Sequence, residues 1–367
     1  MPPPLIPPML AATHHAHPPK SGRGWMIIAI LAIMLLLGIG LVEVLEIPIG
    51  SGFPMGASYG DMMEETTVEQ SESLNKIVVV NVSGVITAQG NGDGMSIVSL
   101  VKRMLKRAAQ DDNVKAVILR VNSPGGEVLA SDDIAEEIKR FQLESNKPVI
   151  ASMGTLAASG GYYVSAPCRW IVAHPLTITG SIGVIMQGFN YRDLMDKVGV
   201  RPDTFKSGKH KDMLSGMRAP DEIPEDERAL IQDLIDEIYG RFKTVVKEGR
   251  EWAHGMNKMH GFKEESRELA EGWEKIADGR VFSGTTAYNH GFVDELGGMD
   301  IAIKRAKKLV GISEAKVVSY QMPFDFANIL RLFGKSSINH SIKVDLGLNM
   351  LPIKTGYLYF LSPTFLL

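Results

Sequence analysis

The chain has 367 residues, 39 of them basic and 42 acidic, for a net charge of −3, and 45% are hydrophobic. That length holds two ordinary domains or one with a broad periphery, and the near-balanced charge leaves no basic stripe of the kind nucleic acid demands. The single cysteine, Cys168, excludes an internal disulfide and has no Cys/His spacing around it, so neither a metal site nor another cofactor is expected, and it reads as a small core hydrophobe.

Residues 1–24 carry Pro2-Pro-Pro, Pro7-Pro, Pro18-Pro and the cluster His14-His-Ala-His17, and read as a disordered tail with solvated histidines. Residues 25–42, Trp25 to Val42, are an unbroken run of apolar residues and glycine, near the roughly 20 residues a bilayer-spanning helix needs. Lys20 and Arg23 precede this run. No Lys or Arg follows until Lys76, whereas Glu43, Glu46, Asp61, Glu64 and Glu65 do. The positive-inside rule then puts the N-terminus in the cytoplasm and the remainder across a bacterial-type inner membrane, held by a single anchor. A cleaved signal peptide is the alternative, but the run is long for one and Glu43-Val-Leu-Glu46 lacks the small residues of a cleavage site. Residues 43–74 show no clear period and read as a linker.

From residue 75 to 320 strand and helix signals alternate. Ile77 to Ile86 is rich in β-branched residues and predicts a strand. Ile97 to Ala109 has apolar residues at helical spacing, with basic residues on the other face. Val114 to Val121 predicts a second strand, followed by the loop Asn122-Ser-Pro-Gly-Gly126, a helix from about Val128 to Ser145 and a short strand from Pro148 to Ser152. This alternation implies parallel strands, right-handed crossovers and active groups at the strand carboxyl ends, an α/β fold.

The last of these strands leads into Ala151-Ser-Met-Gly-Thr-Leu-Ala-Ala-Ser159-Gly-Gly-Tyr-Tyr163, a run of small residues around one hydroxyl. Small neighbours admit another backbone close to Ser159, and amides at a helix N-terminus would face developing negative charge, the setting a serine nucleophile needs. The plainer alternative is a tight packing turn whose serine caps the helix. Pro-Gly-Gly alone is a weak signal, but at the end of the preceding strand its exposed amides would pair with those of the serine turn as an oxyanion hole.

Five motifs in order, Asn122-Ser-Pro-Gly-Gly126, Ala157-Ala-Ser-Gly-Gly-Tyr-Tyr163, Thr179-Gly-Ser-Ile-Gly-Val184, Ser207-Gly-Lys-His-Lys-Asp212 and Asp278-Gly-Arg-Val-Phe-Ser-Gly284, resemble signal peptide peptidase A in its short single-repeat form. That family is a set of Ser/Lys peptidases in the crotonase/Clp-protease superfamily, and the resemblance spans roughly Ile77 to Val310. It implies a repeated ββα superhelix, a membrane anchor, a homo-oligomeric ring and cleavage of apolar signal-peptide remnants. Carried over residue by residue, it implies Ser159 as nucleophile, Lys211 as general base, Gly126 and Gly160 as oxyanion donors and Ser181 as the group orienting the lysine amine.

A lysine at its ordinary pKa near 10.4 is protonated at neutral pH and accepts no proton from serine; burial in apolar surroundings lowers that value by several units. Lys206 and Lys209 lie beside Lys211 and read as solvated surface charges, and Asp212 as a cap or ion-pair partner. A histidine triad is the alternative, with His210 or His174 its best member. Two further readings stand beside the peptidase: a crotonase-like acyl-CoA enzyme, whose thioester enolate needs the same oxyanion hole, and a non-catalytic anchored ring scaffold.

Pro220 to Arg250 predicts one long helix opened by acids, with Leu230, Leu234, Ile238, Phe242 and Val246 on its apolar stripe. Trp252 to Gly272 reads as an insertion, Ile301 to Leu309 as a helix and Ala315 to Tyr320 as a last strand. Residues 321–367 form an extension ending in the apolar run Tyr357 to Leu367, too short to span a membrane. It is expected to lie on the bilayer or in the protein's own substrate groove.

Overall fold

A computed structural model describes residues 63–90, 95–321 and 358–361. The tail before Trp25 and the expected span Trp25 to Val42 lie outside these residues, and among the described residues no helix is long and apolar enough to cross a membrane.

The chain enters through β1 (Glu64–Glu69), which pairs antiparallel with the last long strand, Lys316–Gln321. These six residues were expected in the linker. Their acids and threonines leave no apolar period because the strand is a solvated edge; the signal it does carry is the β-branched run Thr66-Thr-Val68. Next come β2 (Lys76–Ser83), α1 (Ile97–Gln110), β3 (Val114–Ser123), the short β4 (Gly125–Glu127) and α2 (Val128–Ser145). Helix α1 starts where the Ser96 hydroxyl accepts from the Ser99 amide, and it buries Val98, Val101, Met104, Leu105 and Ala108.

Strand β5 runs Val149–Ala158, six residues beyond the expected end at Ser152. The extra length is tertiary in origin. The Asn122 side chain accepts from the Leu156 amide, and Leu156 to Ala158 pair in parallel with β7 (Ile178–Gly180). Between them lie α3 (Gly160–Ser165) and β6 (Trp170–Ala173). After β7 come α4 (Arg192–Lys197), the long α5 (Glu225–Met259), β8 (Val281–Ser283), α6 (Gly284–Asn289), β9 (Glu295–Leu296), α7 (Met299–Leu309) and β10 (Lys316–Gln321). The first third of the expected insertion Trp252 to Gly272 is thus the end of α5, whose helical face continues through the buried Ala253 and Asn257.

The main sheet has the order β1-β10-β2-β3-β5-β6-β9, parallel from β10 to β9, with β7 off β5 and β8 antiparallel to β7. Alternate residues feed two cores. Val78, Val80, Val117, Leu119 and Val149 face α1, α2 and α3, while Ile77, Val79, Ile118 and Ile150 face α7. Parallel strands buried on both faces explain why β2 and β3 read as nearly continuous apolar runs. Strands β3 and β5 are neighbours and point the same way, so their carboxyl ends bring Ser123-Pro-Gly-Gly126 and Ser159 to one edge.

A different regime holds from 183 to 241. No apolar side chain in that span is buried, and residues such as Phe189, Leu194, Val198, Phe205 and Leu230 face outward.

Candidate active site

Ser159 sits between β5 and α3 with φ 55° and ψ −118°, a region an L residue occupies only when its surroundings hold it there. The hold is visible. The Ser159 amide donates to the Gly180 carbonyl (2.8 Å), and its own carbonyl accepts from the Tyr163 amide (2.8 Å). The residue is 1% exposed, yet its Oγ has no hydrogen-bond partner. A strained strand-to-helix turn presenting an unengaged hydroxyl is the arrangement in which serine serves as a nucleophile; the plainer cap fails, since Oγ accepts from no amide of α3.

The glycines expected beside it are there, at close range. A Cβ on Gly160 would fall 3.0 Å from the Gly126 nitrogen and 2.7 Å from Ser131 Oγ. Gly125 has φ +104°, and a Cβ there would lie 2.7 Å from the Gly160 nitrogen. Only glycine lets these two backbone segments meet, which brings the Gly126 and Gly160 nitrogens close together. Ser123, with no role in the sequence reading, fixes the turn: its hydroxyl donates to the Gly84 carbonyl (2.6 Å) and accepts from the Gly125 amide (3.0 Å). A serine two residues before the first glycine is the signal that would have identified it.

Ser181 joins the same cluster through the backbone. It follows Gly180, whose carbonyl takes the Ser159 amide, and it too has positive φ, 50°, with its amide on the Arg280 carbonyl (2.8 Å). Lys211 does not join it. It lies in the irregular loop between α4 and α5, exposed, and among the described residues its amine has no hydrogen bond or ion pair. Lys206 pairs with Asp212 and Lys209 with Asp226, in the surface roles expected of them. Neither histidine candidate reaches Ser159: His210 faces Asp226, and the exposed His174 accepts from the Leu176 amide.

The groove beside Ser159 holds a strand. β11 (Tyr359–Leu361) pairs antiparallel with β4, Phe360 opposite Gly126, and Tyr359 exchanges two 3.2 Å hydrogen bonds with Ile185 on its other edge. The Val128 amide donates to the Leu358 carbonyl (3.3 Å), so alternation along the ladder makes Phe360 and Gly126 the next bonded pair. The Phe360 carbonyl oxygen lies 2.0 Å from the point that is 2.7 Å from the Gly160 nitrogen, which holds the two atoms within 4.7 Å of each other. The Phe360 ring is fully buried against Tyr163 and Phe242, each centroid 4.7 Å away. The Tyr163 hydroxyl donates to Asp132, which also binds Arg241; burial and that carboxylate push its pKa up.

The profile of peptidase family S49 matches residues 141–259 and 263–313. A protein of Enterococcus faecium provisionally named signal peptide peptidase SppA is 36% identical over 261 residues, 70% of each chain. A Synechocystis protein provisionally named protease slr0021 is 34% identical over 279 residues, 76% of this chain and 90% of that one. Protease 4 of Haemophilus influenzae is 36% identical over 236 residues, 64% of this chain but 35% of that longer protein.

Proposed function

The chain belongs to peptidase family S49 and is a serine endopeptidase, and from that premise we propose that Ser159 is its nucleophile and Lys211, supplied by a second copy, its general base. What carries the reading is the extended segment seated against β4: the groove beside Ser159 takes a peptide backbone as an added strand, with a carbonyl beside the Gly126 and Gly160 amides. A thioester substrate gives no reason for such a strand, so the acyl-CoA reading falls behind.

In the proposed reaction Ser159 Oγ attacks the scissile carbonyl carbon while the lysine amine takes its proton, and the carbonyl oxygen gains its charge between the two glycine amides. Collapse expels the leaving amine, which receives that proton from the ammonium. Water then repeats the sequence on the acyl-enzyme. Ser181 is proposed to hold the lysine amine in line.

Lys211 is assigned to a neighbour because a single copy leaves Ser159 Oγ without a partner and Lys211 in solvent. The outward apolar residues between 189 and 234 supply a surface for that neighbour. A head-to-tail contact of this kind closes into a ring when its rotation permits, and this arrangement would bury the amine and so lower its pKa. The fold is proposed to be of the crotonase/Clp-protease kind, anchored by Trp25 to Val42 with the catalytic part outside the cytoplasm. Its substrates are proposed to be apolar peptides such as remnant signal peptides, an aromatic side chain filling the place of Phe360. The test is cleavage of a fluorogenic apolar peptide, with an acyl-CoA beside it, by the wild type, Ser159→Ala and Lys211→Ala. Loss of peptide cleavage in both variants with assembly intact supports the reading; cleavage retained by either rejects it, and a scaffold would cleave nothing.

A further inference from the structure

Between residues 183 and 241 one side chain is buried, and it is a carboxylate: Glu227, 3% exposed, in the first turn of α5. Burying a carboxylate is unfavourable unless it is paired. Its partner is Arg218, whose Nη1 donates to Glu227 Oε2 (2.7 Å) and lies 3.5 Å from Asp212 Oδ1, and whose Nη2 donates to the Glu222 carbonyl (2.6 Å). Asp212 accepts in addition from Lys206 Nζ at both oxygens (2.8 and 2.9 Å). A chain of charges thus runs from the helix through Arg218 to Asp212, the residue after Lys211.

The loop contributes nothing to either hydrophobic core, and its Gly216 lies close against the Tyr191 ring. The loop is also held away from its relaxed shape: Leu214 has φ 65°, a left-handed conformation that a bulky side chain does not adopt unaided. Something must hold Lys211 in place: the ties from its loop to α5 are ionic, Arg218 to Glu227 and Lys209 to Asp226, while the neutral bond from Asn190 Nδ2 to the Arg218 carbonyl (2.9 Å) ties it to the segment before α4.

Resting on the reading of Lys211 as the base, we infer that Arg218 and Glu227 are positioning residues for it: they clamp the Lys211 loop to the N-terminal turn of α5 and so fix where the amine projects toward the serine of the next copy. Asp212 is the joint between clamp and base. The clamp lies outside the hydrophobic cores, so loosening it leaves the sheet and the Ser159 turn intact while the amine loses its aim.

The experiment uses the full-length chain in detergent, with Glu227→Gln, Arg218→Met, Arg218→Lys and Lys211→Ala measured on a fluorogenic peptide for kcat, KM and the pH profile of kcat/KM. Glu227→Gln and Arg218→Met are expected to lower kcat on the order of ten- to a hundredfold, as misplacement by about 1 Å does, with KM within about twofold. The limb of the pH profile set by the base is expected to move to higher pH, because a loosened amine regains water. Arg218→Lys, which keeps one charge-assisted bond, is expected to fall between. A kcat unchanged in Glu227→Gln and Arg218→Met while Lys211→Ala is inactive would overturn the inference; so would a loss matched by loss of assembled protein with the pH limb unmoved. An active Lys211→Ala would instead remove the reading on which the inference rests. Should Glu227→Gln fail to assemble, Arg218→Lys decides by the same readouts.

Discussion

Phe360 lies nearly parallel to Tyr163, ring centroids 4.7 Å apart at an interplanar angle of 23°, and through that contact β11 is fastened beside the serine turn at the start of α3. The pair belongs to a three-ring cluster with Phe242 of α5, so a buried aromatic group and a backbone ladder hold the same three-residue strand.

A strand seated in a groove competes with whatever else binds there. Deleting residues 358–367, or replacing Phe360→Asp, is expected to raise kcat/KM on a short apolar peptide about three- to tenfold, mostly through KM, since an occupied fraction of sites becomes free. Initial rates at subsaturating peptide measure this, and an unchanged value would mean the strand leaves too readily to compete.

If one copy supplies the serine and another the lysine, two inactive proteins repair each other. Ser159→Ala and Lys211→Ala are each expected to lose at least about a thousandfold in kcat. Mixing them under conditions that let subunits exchange is expected to restore cleavage, because some interfaces then join an intact serine to an intact lysine. A base supplied within the same copy would give no recovery.

Much of the fold could be read in the chain, for one physical reason. Strands such as Ile77 to Val82 and Val114 to Val121 are buried on both faces and helices such as Val128 to Ser145 are half buried, so each carries its own hydrophobic signature. The parts that escaped have their causes elsewhere. Glu64–Glu69 is a strand only because β10 is beside it, and β5 continues past Ser152 only because Asn122 and β7 satisfy its backbone. At the site, Ser159 and the glycines around it were legible as small residues at turns, Ser181 only through the family resemblance, and their backbones lie together. That Lys211 stands apart from Ser159 within one copy was not legible, since local sequence carries no signature of where an exposed loop projects.

The two amides proposed to hold the oxyanion offer a sharper test. A methyl group on Gly160 would stand 3.0 Å from the Gly126 nitrogen and from Gly125 Cα, forcing the two segments apart by a few tenths of an ångström. Gly160→Ala is therefore expected to lower kcat about a hundredfold, the size of effect seen when one donor is lost. Circular dichroism melting is expected to drop modestly, because the other crowding atom, Ser131 Oγ, turns away only by giving up its bond to the Glu127 carbonyl.

Stability rests on a different pair. Arg250 and Asp294 are 1% and 0% exposed, bonded to each other, with Arg250 also on the Cys168 carbonyl and Asp294 accepting from the Ile171 amide (2.8 Å). Asp294→Ala leaves the guanidinium buried and unpaired and is expected to cost about 3–5 kcal/mol in urea unfolding. Cys168 beside them is fully enclosed and its thiol pKa is pushed up by burial, so iodoacetamide is expected to label it only once the chain unfolds.

The absence of any buried apolar side chain from 183 to 241 has a consequence for when the enzyme is dangerous. If a second copy supplies the lysine as proposed, a newly made copy on its own has a hydroxyl and no base for it, and local abundance of the chain would set where digestion begins.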